Sequence, residues 1–221
     1  MDKLLDEKVT KQVSEVFARL SHPVQLLFFG SKENCETCQD TRQLLEEVVA
    51  LSPMLGLSVY DIQEDAALAA QYRVDKAPVF VVAAMDDKTL TNTGIQYAGI
   101  PSGLEFNTLI QDILLVSGRD SGLKPATRAF LKGLQNPVHL QVFVTPTCPY
   151  CPQAVVLAHK MALENPGMIR AEGIESMEFQ DLAEQFNVSG VPQTTINSGK
   201  GMVIGAVPEA NLLAEIQRIA A

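Results

Sequence analysis

Val142-Phe143-Val144-Thr145-Pro146-Thr147-Cys148-Pro149-Tyr150-Cys151-Pro152 is the stretch around which the chain is organised. An apolar run ends, a short polar turn intervenes, two cysteines sit two residues apart, and a helical pattern begins. This order predicts a strand, a dithiol turn and a helix. Cys148 is expected in the first helical turn, where unpaired backbone N–H groups and the positive end of the dipole favour a thiolate. Cys151, three residues on, falls on the same helical face and can close a disulfide with its neighbour. In such a pair one thiolate attacks a substrate disulfide, a mixed disulfide forms, and the second cysteine resolves it.

Downstream, Val188-Ser189-Gly190-Val191-Pro192-Gln193-Thr194-Thr195-Ile196 sets a proline before a β-rich run, 44 residues after Cys148. Proline cannot donate to a central ladder, so Pro192 is expected at the start of its strand. The first half of the chain carries the same order. The apolar run 24–29 reads as a strand buried on both faces, Cys35-Glu36-Thr37-Cys38 follows it, and Pro78 lies 43 residues after Cys35. Each proline-led hairpin ends at a second proline, Pro101 or Pro208, after 23 and 16 residues. Two copies of one unit are therefore expected, with the boundary in the turn-rich stretch 117–122 and units spanning 1–118 and 119–221. Helical periodicity predicts helices over 3–20, 103–116, 148–165 and 177–186, with shorter ones at 65–72 and 125–134.

At 221 residues, 47% hydrophobic and 19% charged, the chain has apolar material for packed cores. A net charge of −9 argues against nucleic acid and anionic membranes as partners. No apolar run reaches the ~18 residues of a membrane span. The start of the chain is charged and amphipathic, so a cytoplasmic protein is expected, where Cys-x-x-Cys pairs are catalytic or metal-binding. Zinc sites built from two such pairs hold them within ~15–20 residues; here 109 residues separate Cys38 from Cys148, and no metal is expected. A two-residue ring is also a poor structural staple, because the entropy gained grows with loop length. None of His22, His139 and His159 is placed to pair with a cysteine. His159 is nearest, and eight residues of helix put it about 12 Å from Cys151.

On these residues the chain resembles the thioredoxin fold. Over its whole length it is similar to the glutaredoxin-like protein disulfide oxidoreductases of thermophilic archaea and bacteria, which are two fused thioredoxin folds. The most specific part is 141–152 with Gly190-Val191-Pro192 behind it. The chain also resembles the N-terminal region of the flavoprotein component of alkyl hydroperoxide reductase. That region typically keeps only its second dithiol, whereas both are present here. The resemblance implies an α/β protein with two tandem thioredoxin-like folds, each a mixed β-sheet flanked by helices.

It further implies thiol–disulfide exchange on protein disulfide substrates, with no cofactor beyond the redox-active pairs Cys35–Cys38 and Cys148–Cys151. The implied electron donor is a flavoprotein of the thioredoxin-reductase type. Both prolines, Pro78 and Pro192, are expected cis and facing a dithiol, with Ala77 and Val191 offering backbone groups to an extended peptide. Pro149 and Tyr150, inside the second dithiol turn, complete the expected groove. Thioredoxins carry a buried acid in the strand before the dithiol, but Phe29 and Val142 occupy those positions here. Glu175, at the end of a neighbouring strand, is the candidate proton acceptor, against the plain reading of a solvated strand-end glutamate. Cys148-Pro149-Tyr150-Cys151 is the glutaredoxin dithiol, yet Gly205-Ala206-Val207-Pro208-Glu209 departs from the pattern with which glutaredoxins hold glutathione.

The two dithiols are expected to be unequal. Thr147, Pro149 and Tyr150 beside Cys148 are uncharged, whereas Glu33, Glu36 and Asp40 surround Cys35 and disfavour its thiolate. Cys148 is therefore the expected attacking sulfur and Cys151 the resolving one. Two other functions fit the same residues: an electron-transfer module feeding a peroxiredoxin, and a peptide-binding holdase with vestigial dithiols.

Overall fold

The structure is a computed structural model describing residues 3–87 and 89–220. Its frame is one nine-stranded sheet ordered β2-β1-β3-β5-β7-β6-β8-β9, with β4 attached to β3. The strands are β1 (Val24–Gly30), β2 (Leu55–Asp61), β3 (Val79–Asp86), β4 (Thr89–Thr91), β5 (Ile95–Ala98), β6 (Val138–Val144), β7 (Ile169–Glu175), β8 (Gln193–Ile196) and β9 (Gly201–Ile204). The sequence repeat becomes two strand sets, β2-β1-β3-β5 and β7-β6-β8-β9, laid side by side in the same sense.

The join is a parallel ladder between β5 and β7, in the register Ile95↔Ala171, Gln96↔Glu172, Tyr97↔Gly173 and Ala98↔Ile174. Each unit would otherwise present an open edge there, with unpaired N–H and C=O groups. Pairing the edges joins the two expected sheets into one. β5 and β7 are buried throughout, as their mixed, largely apolar sequences require of strands covered on both faces.

β1, β2, β5, β6 and β7 run in one direction. The turns that follow β1 and β6 therefore emerge at the same edge of the sheet. So do Pro78 and Pro192, which precede the antiparallel strands β3 and β8. Right-handed crossovers set the two dithiol helices, α2 (Cys38–Val49) and α6 (Cys151–Glu164), on one face. α1 (Glu7–Phe17), α4 (Phe106–Gly118), α5 (Pro125–Lys132) and α8 (Glu209–Ala220) share that face, while α3 (Ala66–Tyr72) and α7 (Gln180–Gln185) cover the other. α4 seals the seam: Leu109, Ile113 and Val116 are fully buried, each contributing about 1.5–3 kcal/mol over exposure.

Several helices are shorter than their periodicity predicts. α1 starts at Glu7 because the Asp6 carboxylate caps it, accepting from the Val9 N–H at 2.7 Å. Ahead of it, Glu47 accepts from the N–H groups of Leu4 and Leu5 at 3.0 and 2.9 Å. The expected 103–116 helix opens as a 3-10 turn, Gly103–Glu105, before α4. The helix expected over 177–186 forms only as α7. The stretch 117–122 is packed rather than loose. α4 runs to Gly118, and buried Ser117 Oγ accepts from the N–H groups of Ser21 and His22 at 2.9 and 3.0 Å.

Candidate active site

Both cysteine pairs are closed as disulfides with Cα–Cα distances of 5.5 Å. In each half the helix begins at the second cysteine, so Cys35 and Cys148 lie in the turn ahead of it and not in its first turn as expected. For Cys148 the reason is Pro149, whose ring disfavours helical backbone in the residue before it. The Ser31 N–H points at Cys38 Sγ at 3.3 Å. Asn34 turns the chain into the first dithiol with a φ of 54°, a left-handed conformation asparagine tolerates. Cys151 is fully buried and Cys148 is 7% exposed, whereas Cys35 and Cys38 are half-buried.

The peptide bonds Ala77-Pro78 and Val191-Pro192 are cis, as expected. Ala77 and Pro78 share a cavity of about 340 Å³ with Cys35. Val191 lines a cleft of about 350 Å³ with Thr145 and Ser176. Pro149 faces a cleft of about 560 Å³ between α4 and α6, beside the second dithiol turn. Tyr150 stands 66% exposed at the mouth of that turn.

Glu175 is not the solvated strand-end glutamate of the plain reading. It is buried on the dithiol-helix face, and burial together with neighbouring Glu178 raises its pKa against the hydrogen bonds it accepts. Its Oε2 accepts from the Glu178 N–H at 2.7 Å, and its Oε1 has no hydrogen-bond partner among the described residues. A second acid was not legible in the sequence. Glu105 ends the 3-10 turn, and burial pushes its pKa up to about 7 despite the hydrogen bond from Thr108 Oγ1 at 2.7 Å. The turn is pinned to the dithiol loop of the other half by the Leu104 N–H, which donates to the Pro146 carbonyl at 2.8 Å. Nothing in Gly103-Leu104-Glu105 signals this burial, which depends on the packing of distant segments.

His159 is fully buried between α6 and α4. Its Nε2 donates to the Gln96 carbonyl at 3.1 Å, and Nδ1 lies 2.8 Å from Asp112 Oδ1. It ties the second dithiol helix to the first half. On the opposite face of the sheet, buried Glu172 meets Lys76 Nζ at 2.8 Å, with Arg170 at 3.8 Å and His139 at 3.5 Å. Charged residues alternating inside a short apolar strand, Arg170 and Glu172, were the signal that could have found this pair.

Comparison with known proteins bears on this geometry. The thioredoxin domain family profile matches residues 138–218. The solved structure of a protein disulfide oxidoreductase from Aeropyrum pernix superposes with a TM-score of 0.89 at 32% identity, covering 99% of this chain and 95% of that one. This chain belongs to the protein disulfide oxidoreductases. It is a mixed α/β protein of thioredoxin-like folds with two redox disulfides. The N-terminal domain of the alkyl hydroperoxide reductase AhpF from Enterococcus faecalis is also similar, with a TM-score of 0.84 at 26% identity over 98% of this chain and 100% of that one. Among curated sequences, the alkyl hydroperoxide reductase AhpF of Staphylococcus aureus is 28% identical over 194 residues, 88% of this chain. The chain spans about a third of that relative's length (34%). Among the described residues no helix is long and apolar enough to cross a membrane.

Proposed function

We propose that the chain is a cytoplasmic protein dithiol–disulfide oxidoreductase, two redox units spanning 1–118 and 119–221 that act by thiol–disulfide exchange. The observation that carries this reading is the presence, at one sheet edge, of two cysteine pairs at disulfide distance, each after a parallel strand and each accompanied by a proline-led strand. In the reducing direction the Cys148 thiolate attacks a substrate disulfide. One S–S bond forms, the substrate S–S bond breaks, and the departing sulfur leaves as a thiolate that takes a proton. Cys151, deprotonated in turn, attacks Cys148 and releases the second substrate thiol. The pair is then oxidised by two electrons and the substrate reduced by two. A flavoprotein reductase of the thioredoxin-reductase type returns the electrons.

An extended substrate segment pairs with the backbone at Val191-Pro192 or Ala77-Pro78 in the manner of strand addition, with Pro149 and Tyr150 contacting it at the second dithiol. Two carboxyls are proposed to exchange protons with the sulfurs: Glu105, joined to the second dithiol loop through Leu104 and Pro146, for Cys151, and Glu175 as the alternative acceptor. Cys148 is proposed as the main attacking sulfur, because its turn carries no charge while acidic side chains surround Cys35.

A second reading, electron transfer to a peroxiredoxin, is favoured by the likeness to the alkyl hydroperoxide reductase AhpF. Insulin reduction with dithiothreitol, followed by turbidity, tests the first reading. No acceleration over buffer would instead favour a peptide-binding module with idle dithiols. Oxidation of NADPH in the presence of a thioredoxin-reductase-type flavoprotein, the chain, a peroxiredoxin and peroxide tests the second.

A further inference from the structure

The groove at the N-terminal dithiol is not built by the N-terminal half alone. Met177, Glu178 and Phe179, in the turn after β7, close the cavity onto which Cys35, Ala77 and Pro78 open. Glu178 is fixed there at both oxygens. Its Oε1 accepts from the Ile100 N–H at 2.7 Å, and its Oε2 accepts from the hydroxyl of Thr37, which lies between Cys35 and Cys38. Gly99 makes room for this carboxylate: its φ is +99°, and a Cβ there would sit 2.7 Å from Glu178 Oε1. The wall exists because β7 is laid against β5. Among the described residues no strand set is laid against β9 in the same way, so the cleft at Val191 lacks a corresponding wall.

We infer that Glu178 sets the charge of the N-terminal groove: it disfavours the Cys35 thiolate and selects disulfide peptides that carry a basic residue beside the half-cystine. The inference rests on the reading that Cys35 exchanges disulfides. On the groove side of Cys35 the ionisable lining residues are Glu36 and Glu178. On its other side lie Lys32, Arg42, Asp61, Glu64 and Asp65. Lys32 is bonded to Glu64 and Arg42 to Glu46, so both cations are already paired. A thiolate forming at Cys35 thus meets a carboxylate that has hydrogen-bond donors but no cationic partner among the described residues, and like charge raises a thiol pKa. A substrate lysine or arginine in that groove relieves it and gains a partner, so the carboxylate that slows Cys35 in isolation favours it with cationic partners.

The test uses the full chain with Cys148→Ser and Cys151→Ser, so that only the first dithiol reports. Iodoacetamide labelling of Cys35, followed against pH by mass spectrometry of the modified peptide, gives its apparent pKa. Turnover of two fluorogenic disulfide peptides with dithiothreitol as the reductant, one peptide with lysine and one with glutamate beside the half-cystine, gives the preference over the uncatalysed rate. Glu178→Gln is expected to lower the Cys35 pKa by roughly 0.5–1 and to reduce the lysine-over-glutamate ratio in kcat/KM about fivefold or more. Glu178→Asp, which keeps the charge, is expected to retain both. An unchanged pKa and ratio in Glu178→Gln overturns the inference, as does an equal slowing on both peptides, which would mark Glu178 as merely structural. If the chain with Glu178 intact turns over neither peptide, exchange at Cys35 fails instead, and the labelling arm still decides the effect of Glu178.

Discussion

Lys76, in the loop ahead of Pro78, and Glu172, inside β7, form an ion pair across the two halves with Nζ 2.8 Å from Oε1. Glu172 is 1% exposed. The contact fastens the proline loop of the first redox unit to a strand of the second. With the Glu178–Thr37 hydrogen bond, both the proline loop and the dithiol turn of the first half are held by residues of the second.

This pair makes stability pH-dependent. Burial pushes the Glu172 pKa up, but contact with His139 and the charges of Lys76 and Arg170 outweigh it and hold it at about 2. At 3.5 Å the His139 contact is too long for a good hydrogen bond, and burial lowers the His139 pKa, so we assign the hold on Glu172 mainly to the charges of Lys76 and Arg170. A carboxylate with a lowered folded pKa contributes stability that is present above its ordinary value and is lost as pH falls toward the folded one. Glu172→Gln is expected to cost about 1–3 kcal/mol at pH 7, because it leaves Lys76 and Arg170 with only the largely exposed Asp75 as an anionic partner. Urea unfolding of both proteins at pH 7 and near pH 2.5 checks this, and an undiminished gap at the lower pH would refute it.

Glu105 gives the opposite slope. Burial raises its folded pKa to about 7 from an ordinary 4.5, so between those values the folded chain keeps a proton that the unfolded chain releases. Its contribution is fully present below the ordinary pKa and is lost as pH rises toward 7. Glu105→Gln removes that loss and is expected to gain on the order of 1–3 kcal/mol relative to the parent between pH 4.5 and pH 8. If Glu105 serves Cys151, the variant also slows the second dithiol roughly a hundredfold or more. Thermal melts at both pH values and single-turnover insulin reduction read the two effects separately; a stabilised variant with full activity would clear Glu105 of any catalytic part.

The two dithiols can be ranked directly. Cys148→Ser is expected to remove most disulfide reduction, and Cys35→Ser to leave a substantial fraction, because Glu36 and Glu178 oppose a thiolate at Cys35. Should Cys35→Ser abolish activity and Cys148→Ser spare it, the ranking is reversed.

Gly173 is one of the points where the seam between the units tolerates no side chain. A Cβ there would lie 2.6 Å from the Tyr97 ring and 3.0 Å from Val155. Tyr97 stacks on Phe80 with ring centroids 5.5 Å apart, so it has little freedom to retreat. Gly173→Ala is expected to destabilise by about 1–3 kcal/mol, read from the shift in denaturation midpoint. A neutral result would mean that the ring and α6 move apart at little cost.

The chemistry of this protein was legible in its sequence because local rules carry it. A buried apolar run, a Cys-x-x-Cys turn, an amphipathic helix and a proline-led strand each follow from nearest-neighbour spacing. Their repetition at 43 and 44 residues announced two units. Helix ends were less legible, since the Asp6 cap and the proline after Cys148 act through single contacts. What only the tertiary structure decided is everything made where the units meet. Pairing β5 with β7 buries Glu105, Glu172, Glu175 and His159, which are ordinary polar residues in the linear chain. The same pairing carries Glu178 to Cys35 across 143 residues of sequence. Burial and charge proximity are long-range properties, set by which edges of two similar units pair. No local pattern encodes that choice, and it adds a long-range difference to the local one between the two dithiol turns.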